Sequence, residues 1–256
     1  MKDLNESIME SLDGSSQDLL PYFPYLLQDL QEIGTDPNVV SKFVKQNIDD
    51  SKSLKILDLG CGKGAVSVRL AKDFNCNVVG IDAIPEFIES AKQLAIENGV
   101  TEKTTFIQGD IRILYTNYMD YDIVILGAIG PVLGNQQETL ENVSQCLKPS
   151  GFVILDDGHL PDKTDNKKEI YTTKSRFYHF IKSAGFMVIE ESIFESENMH
   201  QQNEIIFNAI KKRAKELIEK YPSKATIFND YLIEQETQNN ALENDLTCGV
   251  WLLRMV

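Results

Sequence analysis

The sequence predicts an α/β fold built on a parallel sheet whose two faces are covered by helices. From residue 54 onward, short apolar runs alternate with amphipathic helical segments, which is typical of such sheets. The first apolar run leads into a turn with glycines at alternate positions, Gly60, Gly62 and Gly64. With 256 residues, 42% of them hydrophobic, the chain is long enough for one main domain plus an elaboration.

Two helical segments precede the sheet. The stretch LLPYFPYLLQDL at 19–30 predicts a short helix with Pro21 and Pro24 near its start. A longer helix is predicted at 37–48, with Asp36 as its N-cap. Strands are then predicted at 54–59, 77–82, 104–108, 121–126 and 151–156, the last after a KPSG turn at 148–151. Helices are predicted between them at 64–73, 85–97 and 136–147.

The pattern changes after the fifth strand. A helix is predicted at 165–184, ending at Gly185, followed by a sixth strand at 186–194. Residues 200–240 predict two helices separated by Pro222, and only then does a seventh, strongly apolar strand follow at 248–256. The sixth and seventh strands are therefore separated by a helical insertion.

The composition narrows the function. The formal net charge of −14, from 25 basic and 39 acidic residues, argues against a nucleic-acid partner and favours a small-molecule substrate. The four cysteines are widely spaced without a Cys-x-x-Cys pair, so we expect no metal site and no disulfide framework. Without a long apolar run, we expect no membrane partner and a soluble, cytoplasmic protein.

Two classes of ligand use a glycine turn of this kind. Gly60, Gly62 and Ala65, with Asp82 22 positions after Gly60, match the alanine-ended form of the dinucleotide fingerprint. However, Asp58 at the end of the first strand would repel a pyrophosphate. A further acid, Asp110, follows the third strand. A ligand with a cationic amino-acid end and an adenosine, S-adenosylmethionine, suits these acids better.

Five segments carry a family resemblance: ILDLGCGKGA, VVGIDAIPEFIESAK, FIQGDI, YDIVILGAIG and LKPSGFVILDD. In this order, over about residues 54–157, they resemble the motifs of class I S-adenosylmethionine-dependent methyltransferases. The resemblance implies a Rossmann-like, doubly wound sheet of seven strands in the order 3-2-1-4-5-7-6, with the last strand antiparallel. The helices at 1–50 and 200–240 fall outside the resemblance. We therefore divide the chain into an N-terminal helical segment, 1–50, and a methyltransferase domain, 51–256, with a helical insertion at about 200–240.

The resemblance also implies which residues hold the cofactor, S-adenosylmethionine. Asp58 would lie near the methionine amino group, and the turn against the methionyl portion. Asp82 would accept hydrogen bonds from the ribose, a role that suits a carboxylate. Near the reactive methyl we expect Gly127 and Ala128. The cofactor-binding residues expected are thus Asp58, Gly60, Cys61, Gly62, Asp82, Ala83, Ile84, Asp110, Ile111 and Gly127. In the same turn, Lys63 is expected to be solvated.

The sequence does not identify the methyl acceptor. The fourth strand ends in ILGAIGP, which departs from the Asn/Asp-Pro-Pro-Tyr type of motif of enzymes that methylate adenine or glutamine nitrogens. If the reaction uses a base, the segment 156–162 after the fifth strand is the place to look, because ligands bind beyond the carboxyl ends of strands. Asp157 and His159 are the candidates.

The extra helices are interpreted as a lid over a substrate pocket to which Tyr22, Tyr25 and Ala128 contribute. Packing on the core or a dimer contact explains the same aromatics, so a homodimer is an option. The predicted function is methyl transfer to a small-molecule acceptor. The alternatives are an NAD(P)-dependent oxidoreductase and a non-catalytic S-adenosylmethionine-binding protein.

Overall fold

A computed structural model describes residues 2–48, 54–163 and 171–256 of the protein. Seven strands form one sheet in the order β3-β2-β1-β4-β5-β7-β6. Strands β1 to β5 pair in parallel, and β6 pairs antiparallel with β7. The predicted Rossmann-like fold and strand order are confirmed. The strands are β1 (Lys55–Leu59), β2 (Asn77–Asp82), β3 (Thr104–Gln108), β4 (Tyr121–Gly127), β5 (Leu147–His159), β6 (Phe186–Ile193) and β7 (Thr247–Met255).

Helices connect and flank these strands. Asp36 caps the third helix by accepting a hydrogen bond from the Asn38 amide at 2.7 Å, as predicted. No helix in the described ranges is both long and apolar enough to cross a membrane. The helices are α1 (Leu4–Ser11), α2 (Phe23–Leu26), α3 (Pro37–Asn47), α4 (Ala65–Phe74), α5 (Pro85–Glu97), α6 (Ile111–Leu114), α7 (Gln136–Ser144), α8 (Lys174–Ser183), α9 (Ser196–Lys220) and α10 (Ala225–Asn244).

Several element boundaries differ from those predicted, among them those of three segments. The fifth strand begins at Leu147, which pairs with Tyr121, so the KPSG segment is part of β5 and not a separate turn. A register shift follows between Tyr121 and Ile123, and it absorbs the extra residues. The segment 19–30 contains a 3₁₀ helix, Gln17–Tyr22, before the short α2. The helix predicted at 165–184 begins only at Lys174, because residues 171–173 are not helical and Thr173 forms an isolated bridge with Leu160; residues 164–170 lie outside the described residues.

The chain divides into two compact units. One is helical and consists of Met1–Gln31 and Phe194–Cys248, and the other contains the sheet and consists of Glu32–Ile193 and Gly249–Val256. Helix α3 therefore belongs to the sheet unit, whereas the predicted boundary lay near residue 50, outside the described residues. Within the helical unit, the Phe23 ring packs edge-on against Tyr231 at 5.6 Å between centroids, which joins the N-terminal segment to α10.

One face of the sheet carries the main hydrophobic core. Leu57, Val124 and Val153 are aligned across β1, β4 and β5 and are fully buried. Because paired residues of neighbouring strands point to the same face and the side chains alternate along a strand, Asp58 and Ile125 point to the opposite face. This alternation decides which acids can meet at the carboxyl ends of the strands.

Candidate functional site

The glycine turn lies directly between β1 and α4. Gly60 has a φ of +77°, and a side chain there would meet Ile129 at 2.5 Å, so glycine is required for both reasons. Gly62 has a φ of +52°, and a Cβ atom added there would have no other atom within 4 Å. The amides of Gly60 and Cys61 both donate to the Ile81 carbonyl, at 2.8 and 3.0 Å. The turn is thus fixed to the end of β2 while one side of it stays open.

Asp58 is buried beneath this turn with an exposure of 3%. Its carboxylate accepts a hydrogen bond of 2.6 Å from the Ser67 hydroxyl in the first turns of α4. Burial raises the pKa of Asp58 from 3.8 to about 7; the Ser67 hydrogen bond lowers it and the nearby Asp82 carboxylate raises it. A cationic group placed beside Asp58 would stabilise its ionised form.

Asp82 ends β2 and orders the turn next to it. One carboxylate oxygen accepts from the Gly62 amide and the other from the Ile84 amide, both at 2.9 Å. Burial raises the pKa of Asp82, and these backbone hydrogen bonds lower it. The Ala83 amide also contributes, but a carboxylate has about four acceptor positions, so these backbone amides leave capacity for a hydroxyl donor from a ligand. Ala83 and Ile84, both predicted to bind the cofactor, directly follow this carboxylate in the chain.

Asp110 has a partner that the sequence analysis did not identify. It is the N-cap of α6, accepting from the Arg112 amide at 2.9 Å, and the Arg112 guanidinium contacts both of its oxygens at 2.7 to 3.1 Å. The side-chain hydrogen bond to Arg112 holds the pKa of Asp110 below its usual value. Asp110 is therefore ionised and fixed in orientation, while Ile111 beside it is buried in the core. The only sequence feature that could have indicated this ion pair is the basic residue two positions after the acid.

Cys61 and Lys63 are the non-glycine side chains of the turn. Burial raises the pKa of the Cys61 thiol well above its ordinary value, which keeps it protonated and unreactive. The expectation that Lys63 is solvated is wrong: the residue is only 6% exposed, and its Nζ lies 5.8 Å from the centre of the Phe87 ring. Its aliphatic stem is covered because the turn folds it towards α5.

The loop before α3 lies over the carboxyl end of β4. A side chain at Gly127 would meet the Thr35 hydroxyl at 2.9 Å, and one at Gly34 would meet the Gly127 carbonyl oxygen at 3.1 Å. Ala128 has a φ of +57°, a left-handed conformation at the end of the strand. The residues predicted to adjoin the reactive methyl, Gly127 and Ala128, are thus in contact with this loop.

Asp156 and Asp157 follow each other in β5 but point to opposite faces. Asp156 is paired in register with Gly127, whereas Asp157 accepts a 2.7 Å hydrogen bond from the Gly158 amide. Burial raises the pKa of Asp156 to about 7 and that of Asp157 to about 6. Both acids retain protons at a higher pH than an exposed aspartate does.

His159 occupies an aromatic cluster in the core. It is 2% exposed, and its ring centre lies 5.3 Å from that of Phe177 and 6.1 Å from that of Trp251. Its Nδ1 lies 3.3 Å from the Leu160 carbonyl oxygen. Burial lowers the pKa of His159, so the ring is neutral at pH 7. These contacts favour a packing role, and a role as a base stays a prediction.

Tyr22 and Tyr25, predicted to line a substrate pocket, lie in the helical unit. The Tyr22 ring contacts Phe228 edge-on at 5.0 Å, and the Tyr25 hydroxyl donates to Glu216 at 2.6 Å. Both side chains thus have partners on α9 or α10 within this unit. Among the described residues, no group of three or more histidines, cysteines or acids is arranged to hold a metal ion.

The strand order, the glycine turn and the acids at the ends of β1, β2 and β3 define a Rossmann-like fold of the methyltransferase type. The chain belongs to the methyltransferase-domain family, whose model matches residues 50–221. The resemblance to class I S-adenosylmethionine-dependent methyltransferases is thereby confirmed at the level of family and fold.

Among curated relatives, the chain is similar to the ubiquinone biosynthesis O-methyltransferase of Rickettsia canadensis, with 37% identity over 112 residues. This match covers 44% of the chain and 46% of the relative. The relative from Rickettsia prowazekii is 35% identical over 112 residues, which cover 44% of the chain and 43% of that protein. The chain thus spans less than half the length of these relatives.

Solved structures share the fold over nearly the whole chain. A Geobacter sulfurreducens S-adenosylmethionine-dependent methyltransferase in complex with S-adenosylhomocysteine aligns with a TM-score of 0.74 and 19% identity, covering 92% of this chain and 98% of that one. YjhP from E. coli aligns with a TM-score of 0.73 and 19% identity, covering 91% and 100%. The [4+2]-cyclase SpnF aligns with a TM-score of 0.71 and 14% identity, covering 99% and 97%. At these identities the likeness concerns the fold.

Proposed function

We propose that the protein transfers a methyl group from S-adenosylmethionine to a hydroxyl group of a small molecule. The observation that carries the proposal is the pair of carboxylates at the two strand ends that hold the glycine turn, Asp58, which is buried, and Asp82, which is partly buried. The choice of a hydroxyl acceptor is supported by the relatives named as O-methyltransferases.

The residues present fit this cofactor by charge. The two carboxylates raise the energy of each other's ionised form, and a bound ammonium group would offset that repulsion. A pyrophosphate beside Asp58 would add a negative charge to the same buried place. The donor set therefore favours S-adenosylmethionine over the alternative, a nicotinamide dinucleotide.

Each part of the cofactor has residues that would hold it. Asp58 would bind the ammonium group and the open side of Gly62 the methionyl portion. Asp82 would accept from the ribose hydroxyls, and Asp110, oriented by Arg112, from the adenine amine. When bound, the cofactor supplies a methyl group activated by a sulfonium. The chain's own contribution is positioning and exclusion of water, which in well-oriented reactions is worth on the order of 7 to 11 kcal/mol.

Calorimetric titration with S-adenosylmethionine, S-adenosylhomocysteine and NAD tests the proposal. We expect binding of the first two and none of NAD. Binding of NAD alone would indicate the oxidoreductase. Binding of S-adenosylmethionine without methyl transfer to any acceptor in a broad panel of alcohols, phenols, amines and thiols would indicate the non-catalytic alternative.

The helical unit is proposed to act on the acceptor as a lid. Deleting residues 1–30 would remove Phe23 and with it the packing on Tyr231, so a point variant is the better test. Tyr25→Phe removes only the hydroxyl bonded to Glu216. If Tyr25 contributes to the pocket, the variant changes the KM for the acceptor while the Kd for S-adenosylhomocysteine stays the same. An unchanged KM would argue against this role for Tyr25.

Partners and location are also proposed. The net charge of −14 disfavours a nucleic-acid substrate, and four cysteines that form no disulfide fit a reducing, cytoplasmic compartment. A homodimer is proposed as the alternative use of the inserted helices, whose surface includes the exposed Ile205 on α9 and Ile233 on α10. Analytical ultracentrifugation tests this, since a single species of 28.9 kDa would exclude it.

A further inference from the structure

Asp156 lies on the same face of the sheet as the two acids of the glycine turn. Asp58 is paired with Ile125 on β4, and two residues further along, Gly127 is paired with Asp156 on β5. Asp58 is also paired with Gly80, two residues before Asp82. Since side chains alternate along each strand, Asp58, Asp82 and Asp156 all point to one face.

The two residues predicted as bases point the other way. Asp157 and His159 continue the alternation of Val153 and Leu155, which belong to the buried core. The contact of His159 with Phe177, on helix α8, agrees with this placement. Of the polar side chains at the end of β5, Asp156 is therefore the one on the face of the cofactor carboxylates.

Thr35 adds a second observation at this place. Its residue exposure is 4%, and its hydroxyl makes no hydrogen bond of good geometry to any described residue. It lies over Gly127, the register partner of Asp156, and its hydroxyl is within reach of the Asp156 carboxyl, where a weak hydrogen bond opposes the rise in pKa caused by burial. A buried hydroxyl without a well-formed hydrogen bond costs free energy unless a ligand supplies a partner.

We propose that Asp156 and Thr35 together bind the methyl-accepting hydroxyl of the substrate. The Asp156 carboxylate accepts the hydrogen bond that this substrate hydroxyl donates. The Thr35 hydroxyl donates a hydrogen bond to the oxygen of the same substrate hydroxyl. Gly127 leaves the space between them because a side chain there would contact Thr35. The proposal rests on the proposed function and specifies its acceptor site. A single hydroxyl satisfies both groups, since it donates to Asp156 and accepts from Thr35, and catechol serves as a probe that presents such a hydroxyl.

The test is a binding experiment on the full chain saturated with S-adenosylhomocysteine, with catechol itself as the probe. Calorimetry should detect catechol binding to the wild type. At pH 8.5, above the pKa of about 7 of Asp156, Asp156→Asn should weaken it about 10-fold or more, because a hydrogen bond to a charged group is lost. Thr35→Val should weaken it about 3- to 10-fold, and Thr35→Ser, which keeps the hydroxyl, should restore it. In all three variants the Kd for S-adenosylhomocysteine should be unchanged.

Asp73→Asn is the matched control. Asp73 also accepts from a hydroxyl, that of Ser41 at 2.6 Å, but it lies in the last turn of α4, away from the glycine turn. This variant should leave catechol binding unchanged. Failure of the wild type to bind S-adenosylhomocysteine would overturn the proposed function itself. Normal S-adenosylhomocysteine binding with no catechol binding, or with equal catechol binding by Asp156→Asn, would overturn only the role of Asp156 and Thr35.

Discussion

Replacing Asp58 by asparagine should stabilise the free protein at pH 8 and at the same time weaken its binding of S-adenosylmethionine. Asparagine keeps the shape of the side chain and can still pair with the Ser67 hydroxyl, but it removes the buried negative charge. In the free protein that charge is unfavourable because Asp58 is buried and faces Asp82. With the cofactor bound, the same charge would pair with an ammonium group. The two effects of one substitution therefore have opposite signs.

The pKa of Asp58 gives the size of the stability effect. Its rise from 3.8 to about 7 means that the folded protein binds this proton more tightly than the unfolded chain does. The resulting loss of stability begins near pH 4, grows as the pH rises, and is complete above about pH 7. At 1.36 kcal/mol for each pKa unit, its upper limit is about 4 kcal/mol. After the weaker hydrogen bond to Ser67 is subtracted, we expect a gain of about 1 to 3 kcal/mol for Asp58→Asn at pH 8.

Urea unfolding at pH 4.5 and pH 8 measures this gain, which should be much smaller at the lower pH. Asp73→Asn is again the control, because hydrogen bonds from Ser41 and Arg69 outweigh burial and lower the pKa of Asp73. That variant should lose stability at pH 8. A loss of stability for Asp58→Asn at pH 8 would refute the electrostatic reasoning.

Cofactor binding is the second readout for the same variant. Loss of a hydrogen bond to a charged group should weaken S-adenosylmethionine binding about 10- to 100-fold. Because Asp58 is largely protonated at pH 6.5, binding to the wild type should release a proton, which calorimetry in two buffers of different ionisation enthalpy detects. Asp58→Asn should release none from this site. Equal affinity and equal proton release would show that Asp58 does not contact the ammonium group.

Three further substitutions test the local structure by urea unfolding. His159→Ala should cost about 2 kcal/mol, because a cavity replaces the ring packed on Phe177 and Trp251, with the affinity for S-adenosylhomocysteine unchanged; full stability would contradict the packing role. Ala128→Gly should stabilise the protein by about 1 kcal/mol, since φ is +57° there, and a loss would show that the alanine methyl makes more favourable contacts than the strain costs. Asn135→Ala should cost about 1 kcal/mol by removing the capping box of α7, and no change would show that water replaces the cap.

The fold could be predicted because its elements are specified locally. The alternation of apolar runs with amphipathic segments identifies each strand of the sheet, and Pro85 correctly marks the start of α5. The start of β5 was misplaced because Leu147 is held by pairing with Tyr121, a contact 26 residues away in sequence. Such long-range pairing has no local signal.

Side-chain surroundings were harder to predict for the same reason. Lys63 lies in a turn where solvation is the ordinary expectation, and its burial depends on tertiary contacts such as that with Phe87 on α5. Arg112 follows Asp110 closely, but that its guanidinium turns back onto the carboxylate depends on the short helix capped there. In both cases the residue type was visible in the sequence, and the partner depended on the tertiary structure.

The choice between Asp156 and Asp157 shows how register decides a site. Alternation alone states that these neighbours point to opposite faces, but it does not say which face adjoins the glycine turn. That assignment needs the pairing of Asp58 with Ile125 across β1 and β4, and of Gly127 with Asp156 across β4 and β5. A shift of one residue in either pairing would exchange the two acids. The acceptor site proposed for Asp156 is therefore a consequence of strand register, and the comparison of Asp156→Asn with Asp73→Asn tests it.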